Sequence, residues 1–154
     1  MKTADFIFLA SGSPRRRDLL QQIGVSFQVI GIELDETALE DEAPQAYVSR
    51  LAEAKAAAGW QRSRGLGNAP VLAADTAVVL DGRILGKPAD MKDAISMLLE
   101  LSGRTHEVLT AVAVRTTADT QLTVSRSMVT FRAIDAAEAR DYWACGEPRD
   151  KAGA

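Results

Sequence analysis

Asp75 stands inside the apolar run Val71-Leu72-Ala73-Ala74-Asp75-Thr76-Ala77-Val78-Val79-Leu80. A carboxylate so placed must be paired, bound to a metal or held ready to take a proton, because an unpaired buried charge is costly. Its same-face neighbours in an extended strand, Ala73 and Ala77, are small enough to leave room for a ligand; a structural salt bridge would satisfy the same constraint. A second chemical segment is Ser11-Gly12-Ser13-Pro14-Arg15-Arg16, whose residue types suit a strand-to-helix junction. Unpaired backbone N–H groups and the helix dipole attract an anion there, and arginine adds paired hydrogen bonds to its oxygens. The alternative is a helix cap followed by solvated arginines.

Three weaker signals accompany these two. Val48, Leu51, Ala52 and Lys55 share one helical face by their spacing, which aims a lysine inward or lets it snorkel to water. Lys87 stands between Gly86 and Pro88, where rigid backbone and a missing side chain let a ligand approach. Asp35 and Glu36 form an acidic doublet able to hold a hard divalent cation, or simply a solvated loop. His106 has no second histidine with which to build a zinc site and reads as a structural hydrogen-bonding residue, while Cys145 has no disulfide partner.

These residues must be positioned by elements the sequence also marks. The run 6–10 reads as a buried strand, and Ser13-Pro14 supplies an N-cap and a first helical proline. The helix that follows shows an apolar face of Leu19, Leu20 and Ile23 and stops at Gly24. A strand over 27–32 leads to an acidic loop, 33–42, and Pro44 opens an alanine-rich helix to about residue 60. After a loop over 61–70, a long strand covers 71–80, and Asp81-Gly82 signals a type I′ hairpin turning into a short strand at 83–85. Asp90 caps a third helix that Ser102-Gly103 ends. Segments 105–114 and 121–132 are strands expected to pair antiparallel, Asp135 with Glu138 starts a last helix through Cys145, and 146–154 reads as loop.

At 154 residues, with 47% apolar and 25% charged, the chain suits one globular α/β domain with hairpins in its sheet. Apolar runs fall far short of the roughly 20 residues that cross a bilayer, and the apolar stretch before the arginine cluster is too short and wrongly ordered for a secretion signal. A cytoplasmic protein without membrane contact is expected. The net charge of −3 and 5% aromatic content provide neither a broad basic face nor stacking platforms for nucleic acid. Arg15, Arg16 and Arg17 instead concentrate positive potential at one place, which fits a small anion.

Leu9-Ala10-Ser11-Gly12-Ser13-Pro14-Arg15-Arg16, Ala74-Asp75-Thr76, Gly86-Lys87-Pro88, Leu101-Ser102-Gly103-Arg104-Thr105-His106 and Gly146-Glu147-Pro148-Arg149-Asp150-Lys151-Ala152-Gly153-Ala154 together resemble the Maf family of nucleoside triphosphate pyrophosphatases, the septum formation inhibitor proteins. The resemblance implies an ITPase-like (Maf/Ham1-like) fold, an elongated mixed sheet flanked by helices with two lobes around a nucleotide cleft. It makes Asp75 the catalytic acid-base residue, assigns Ser11, Ser13, Arg15, Arg16, Lys55 and Lys87 to the phosphates, and makes Arg15 and Thr76 the specificity positions. Within the family, Ser-Pro-Arg-Arg and Ala-Asp-Thr look like the subgroup acting on dTTP and UTP. The expected activity is hydrolysis of those nucleotides to the monophosphate and pyrophosphate; the competing expectation is a catalytically weak nucleotide-binding regulator of septum formation. Mg²⁺ or Mn²⁺ held by Asp35, Glu36 and Asp75, and a homodimer, are further expectations. Because the family continues past Asp-Lys-Ala-Gly-Ala with a strand and a base-recognising glutamine, the resemblance also implies that residues 1–154 form a single domain lacking the family's C-terminal segment.

Overall fold

The structure, a computed structural model, describes residues 5–154, without the side chains at 149 and 150. It divides into two compact units, one taking the described part of Met1–Asp75 with Ala111–Val124, the other Thr76–Thr110 with Ser125–Ala154. The elements in chain order are β1 (Ile7–Leu9), α1 (Pro14–Gln22), β2 (Phe27–Val29), α2 (Pro44–Ser63), β3 (Val71–Leu80), β4 (Arg83–Leu85), α3 (Met91–Leu101), β5 (Thr105–Arg115), β6 (Thr120–Thr130), α4 (Ala136–Ala144) and a short 3-10 helix, Glu147–Asp150. Among the described residues the strands form a six-stranded mixed sheet ordered β2-β1-β3-β5-β6, with β4 paired to β3.

In the first unit, β1 runs parallel both to β2, with Ile7 opposite Phe27, and to β3, with Leu9 opposite Leu72. Parallel neighbours need crossovers, and α1 and α2 are the helices that intervene in the chain. Helix α2 buries Val48, Leu51, Ala52, Ala56 and Gly59. Their spacing is the apolar stripe of an amphipathic helix. Gly59 marks the closest approach, because a Cβ there would lie 2.8 Å from both Ala10 Cβ and Val71 Cγ1. Below these contacts lie Phe8, Leu9, Ala10, Val71 and Ala73, all essentially inaccessible to water.

Helix α1 departs from the sequence expectation. It buries no residue, and its supposed core positions Leu19 and Ile23 are 58% and 72% exposed. Ser13 does occupy the N-cap position, but its side chain makes no capping bond. Instead its backbone N–H donates to Ser11 Oγ at 3.3 Å. Strand β2 ends at Val29, three residues short of the expected Ile32. Past it the chain satisfies its backbone differently: Ile30 N–H still donates to Leu9 C=O, while Gly31 C=O accepts from the Arg62 guanidinium.

The second unit follows its turn chemistry closely. Asp81 and Gly82 have φ of 51° and 76°, the left-handed pair that a type I′ turn requires, and Leu80 pairs with Arg83 antiparallel. The side chains of Asp90 and Asp135 accept from Asp93 N–H and Glu138 N–H, capping α3 and α4. The Glu138 carboxylate pairs with Arg132. Thr105 lies beside Thr130, and Thr116 N–H, in the part of the hairpin assigned to the first unit, donates to Asp119 C=O, so β5 and β6 form the expected antiparallel hairpin. Val78, Leu80, Leu85 and Leu101 form the local core with Val108, Phe131 and Ala152 against it. The segment expected to be loop after Cys145 contains the 3-10 helix Glu147–Asp150. Beyond it Gly153 N–H donates to Gly86 C=O at 3.0 Å.

Candidate active site

Parallel strands present their carboxyl ends to ligands, since the loops that follow them leave backbone groups unpaired there. Ser11 lies two residues past Leu9 at the end of β1, and Asp75 three residues past Leu72, its register partner in β3. Asp75 lies within β3, past the stretch that pairs with β1, and the charge of Arg16, bonded to Ser11, reaches it. Asp75 is 6% exposed and Ser11 is buried to the same degree.

Lys55 is what makes the buried Asp75 tenable. Its Nζ lies 2.7 Å from Asp75 Oδ1 and 2.7 Å from Glu36 Oε1. The ammonium does not snorkel: its side chain is 12% exposed, held inward by the same helical face that buries Val48, Leu51 and Ala52. Arg16 Nη1 donates to Ser11 Oγ at 2.9 Å. The first unit thus joins Glu36, Lys55 and Asp75 in one cluster and pairs Ser11 with Arg16, whose charge reaches Asp75, drawing on four places in the chain. Ser13 is half-buried beside Ser11, and Arg15 is exposed on the first turn of α1.

Burial pushes the Asp75 carboxyl above its ordinary pKa, against the opposing hydrogen bond and charge of Lys55, while Glu36 raises it further and Arg16 lowers it. A carboxylate moved toward neutrality is a better proton acceptor at physiological pH than an exposed aspartate. Tyr47 is also pushed up, by burial first and then by the negative charge of Asp75 and Glu36.

Asp35 makes different contacts from this group. Its Oδ1 accepts from Thr37 N–H at 2.9 Å and Thr37 Oγ1 at 2.6 Å, which makes it the closing residue of a local turn. Those bonds hold its carboxyl below the usual range. Glu36 and Asp75 are the carboxylates that converge, each within 2.7 Å of one ammonium. Their contacting oxygens are thus no farther apart than twice that distance. Among the described residues no group of three or more Asp, Glu, His or Cys is placed to hold a metal. Two carboxylates nevertheless fit Mg²⁺, which keeps several waters and takes one or two carboxylates together with substrate phosphates.

Thr76 and Lys87 belong to the second unit. Thr76 is half-buried and shares a 3.0 Å hydrogen bond with Thr110, while Lys87 is exposed beside the Gly86 carbonyl that Gly153 anchors. His106 is 4% exposed, packs edge-on to Phe131 at 4.9 Å, and has no bond to Nδ1. Sequence reasoning missed Tyr47 and Arg50. The readable signal was their i, i+3 spacing on the first turns of α2, opposite an acidic loop of no regular structure.

The chain is an α/β protein with a buried, lysine-paired aspartate within β3 and an arginine-bearing helix start after β1, groups suited to an anion. The chain belongs to the Maf family: residues 6–154 match the model described as Maf-like protein. It is 50% identical over 158 residues to the dTTP/UTP pyrophosphatase of Nitrosomonas europaea, covering 96% of this chain and 76% of that protein. It is likewise 50% identical over 151 residues to the dTTP/UTP pyrophosphatase of Saccharophagus degradans, covering 96% and 70%. Among solved structures, the Staphylococcus aureus Ham1 protein aligns with a TM-score of 0.49 at 17% identity, over 79% of this chain and 69% of that one.

Proposed function

We propose that this protein is a nucleoside triphosphate pyrophosphatase that hydrolyses dTTP and UTP to the nucleoside monophosphate and pyrophosphate. The observation that carries the reading is Asp75, 6% exposed in the middle of β3 and held 2.7 Å from Lys55. Relatives about half identical to this chain bear the name of that activity.

Water attacks the phosphorus nearest the sugar, forming a new P–O bond while the bridging P–O bond breaks and pyrophosphate leaves with the bond's electron pair. Asp75 accepts the water's proton; with Oδ1 on Lys55, Oδ2 is the atom placed to take it. Lys55 and Arg16 neutralise charge that builds on the phosphate oxygens, and Ser11, itself held by Arg16, orients them with the backbone N–H groups at the start of α1. Ser13 and Arg15, in the same unit, extend the phosphate contacts; the roles of Lys87 on the phosphates and of Arg15 and Thr76 in selecting the base rest on the family resemblance. A bound Mg²⁺ or Mn²⁺, held by Glu36 and Asp75, would supply further charge neutralisation on the phosphates. Asp35, engaged in its turn with Thr37, is left out of that set. A homodimer in the cytoplasm completes the reading, and sedimentation velocity tests the first part of it. Among the described residues no helix is long and apolar enough to cross a membrane.

Replacing Asp75 with Asn keeps the shape and removes the proton acceptor. Pyrophosphate release from UTP and dTTP should fall by about 10²- to 10⁴-fold, the range for loss of a general base. Turnover equal to wild type would remove Asp75 from the chemistry.

A further inference from the structure

The segment 33–43 that carries Glu36 has no helix or strand to fix it. Its place is set by side chains of α2, and in an ordered way along that helix. Tyr47 donates its hydroxyl to Glu36 C=O at 2.8 Å, and Arg50, one turn on, donates through Nη2 to Thr37 C=O at 3.2 Å. The same guanidinium grips Glu42 with two bonds, Nε to Oε1 at 2.6 Å and Nη2 to Oε2 at 2.8 Å. Glu42 in turn accepts from Leu39 N–H at 3.0 Å, and the Arg50 guanidinium lies 5.8 Å from the Tyr47 ring centre. Farther along α2, Lys55 takes the Glu36 side chain and Arg62 takes Gly31 C=O. One helix therefore holds the carbonyls of two successive peptides, Glu36–Thr37 and Thr37–Ala38, and also supplies the ammonium that the Glu36 carboxylate meets.

We propose that Arg50, with Glu42 and Tyr47, is a positioning device that sets where the Glu36 carboxylate stands relative to Lys55 and Asp75. The proposal rests on the pyrophosphatase reading for its consequence on turnover, but not for its geometry. The chemistry demands arginine: a planar fork can serve both Glu42 oxygens and a carbonyl at once, whereas a lysine at that position offers a single point charge. The device matters because Glu36 is 46% exposed at its side chain. Its burial alone does not hold it, so the backbone clamp acts together with the Lys55 contact to set its orientation.

Two measurements on the whole chain test this. In a double-substitution cycle with UTP and Mg²⁺, Arg50→Gln should lower kcat/KM by about 10- to 100-fold, the range for partners that orient a metal-facing carboxylate, with a raised half-saturation for Mg²⁺. The same change made in a Glu36→Gln background should have little further effect, because Arg50 acts through Glu36. Arg50→Lys should resemble Arg50→Gln, and Tyr47→Phe should give a smaller loss in the same direction. Equal losses with and without Glu36, or full rescue by lysine, overturn the proposal. Backbone amide exchange decides independently of turnover: Arg50→Gln should speed exchange at residues 36–39 about ten-fold or more and leave the middle of α2 unchanged. If wild-type protein releases no pyrophosphate, the functional reading fails while the exchange result still stands for or against the clamp. Unchanged exchange at 36–39 removes it.

Discussion

Replacing Lys55 with Met keeps the aliphatic stem that packs along α2 and deletes only the ammonium. Two carboxylates lose it, but unequally: the Asp75 side chain is 9% exposed, that of Glu36 46%. Water can rehydrate Glu36, so that contact is worth about 0–1 kcal/mol. Asp75 is left as a buried charge without its partner, and breaking such a pair costs about 3–5 kcal/mol. A loss of about 3 kcal/mol at pH 8 follows, or roughly 6–12 °C in melting temperature for a chain of this size. The sign with pH is fixed by the same geometry. Burial already raises the Asp75 pKa against Lys55; without Lys55 the rise is larger. A group raised in the folded state lends stability below its unfolded pKa and loses it as pH rises through the folded value. The deficit of Lys55→Met relative to wild type should therefore shrink as pH falls from 8 toward 5. Adding Asp75→Asn should recover most of it, since a neutral amide needs no counter-charge. Urea unfolding of the four proteins at both pH values is the assay. A deficit under about 1 kcal/mol at pH 8, or one that grows on acidification, would refute a buried Lys55–Asp75 pair as the site's main electrostatic tie.

Gly59→Ala should destabilise by about 1–3 kcal/mol in urea, because the new methyl meets Ala10 and Val71 at 2.8 Å and the gain in helix propensity does not offset that overlap. Asp90→Ala should lower stability by about 1 kcal/mol through loss of the bond to Asp93 N–H, with pyrophosphate release unchanged. Burial lowers the His106 pKa, so its contribution is full above the ordinary value of 6.5 and is lost as pH falls through the folded value. The melting temperature of wild type should fall more steeply below pH 6.5 than that of His106→Leu, and parallel curves would exclude His106 as the cause.

Elements with short-range chemistry were legible in the sequence. The positive φ pair at Asp81-Gly82, the caps at Asp90 and Asp135, and the apolar stripe of α2 each depend on residues within a few positions, so their spacing carries the information. Helix α1 misled because Leu19, Leu20 and Ile23 are apolar at helical spacing yet exposed or only half-buried. Periodicity reports which residues share a face and not what covers it. At the site, Asp75 and Lys55 were each recognisable from a charge in an apolar pattern, but their 2.7 Å pairing joins residues twenty positions apart across a strand–helix contact. Asp35 and Glu36 show the same limit more sharply. Adjacent acids in one loop make different contacts, Asp35 with Thr37 and Glu36 with Lys55. Tyr47 and Arg50 passed unnoticed, since their i, i+3 spacing opposite an acidic loop is shared by many ordinary half-exposed helix faces.

The tight seat of Gly59 against β1 and β3 also disciplines everything upstream on its helix. With that point pinned, one residue inserted between 55 and 59 would swing Lys55, Arg50 and Tyr47 together by about 100° about the axis. Ammonium, guanidinium and phenol would all leave their partners in a single step. Natural variation in length should therefore gather in the turns on either side of α2, while the interior of the helix keeps its count.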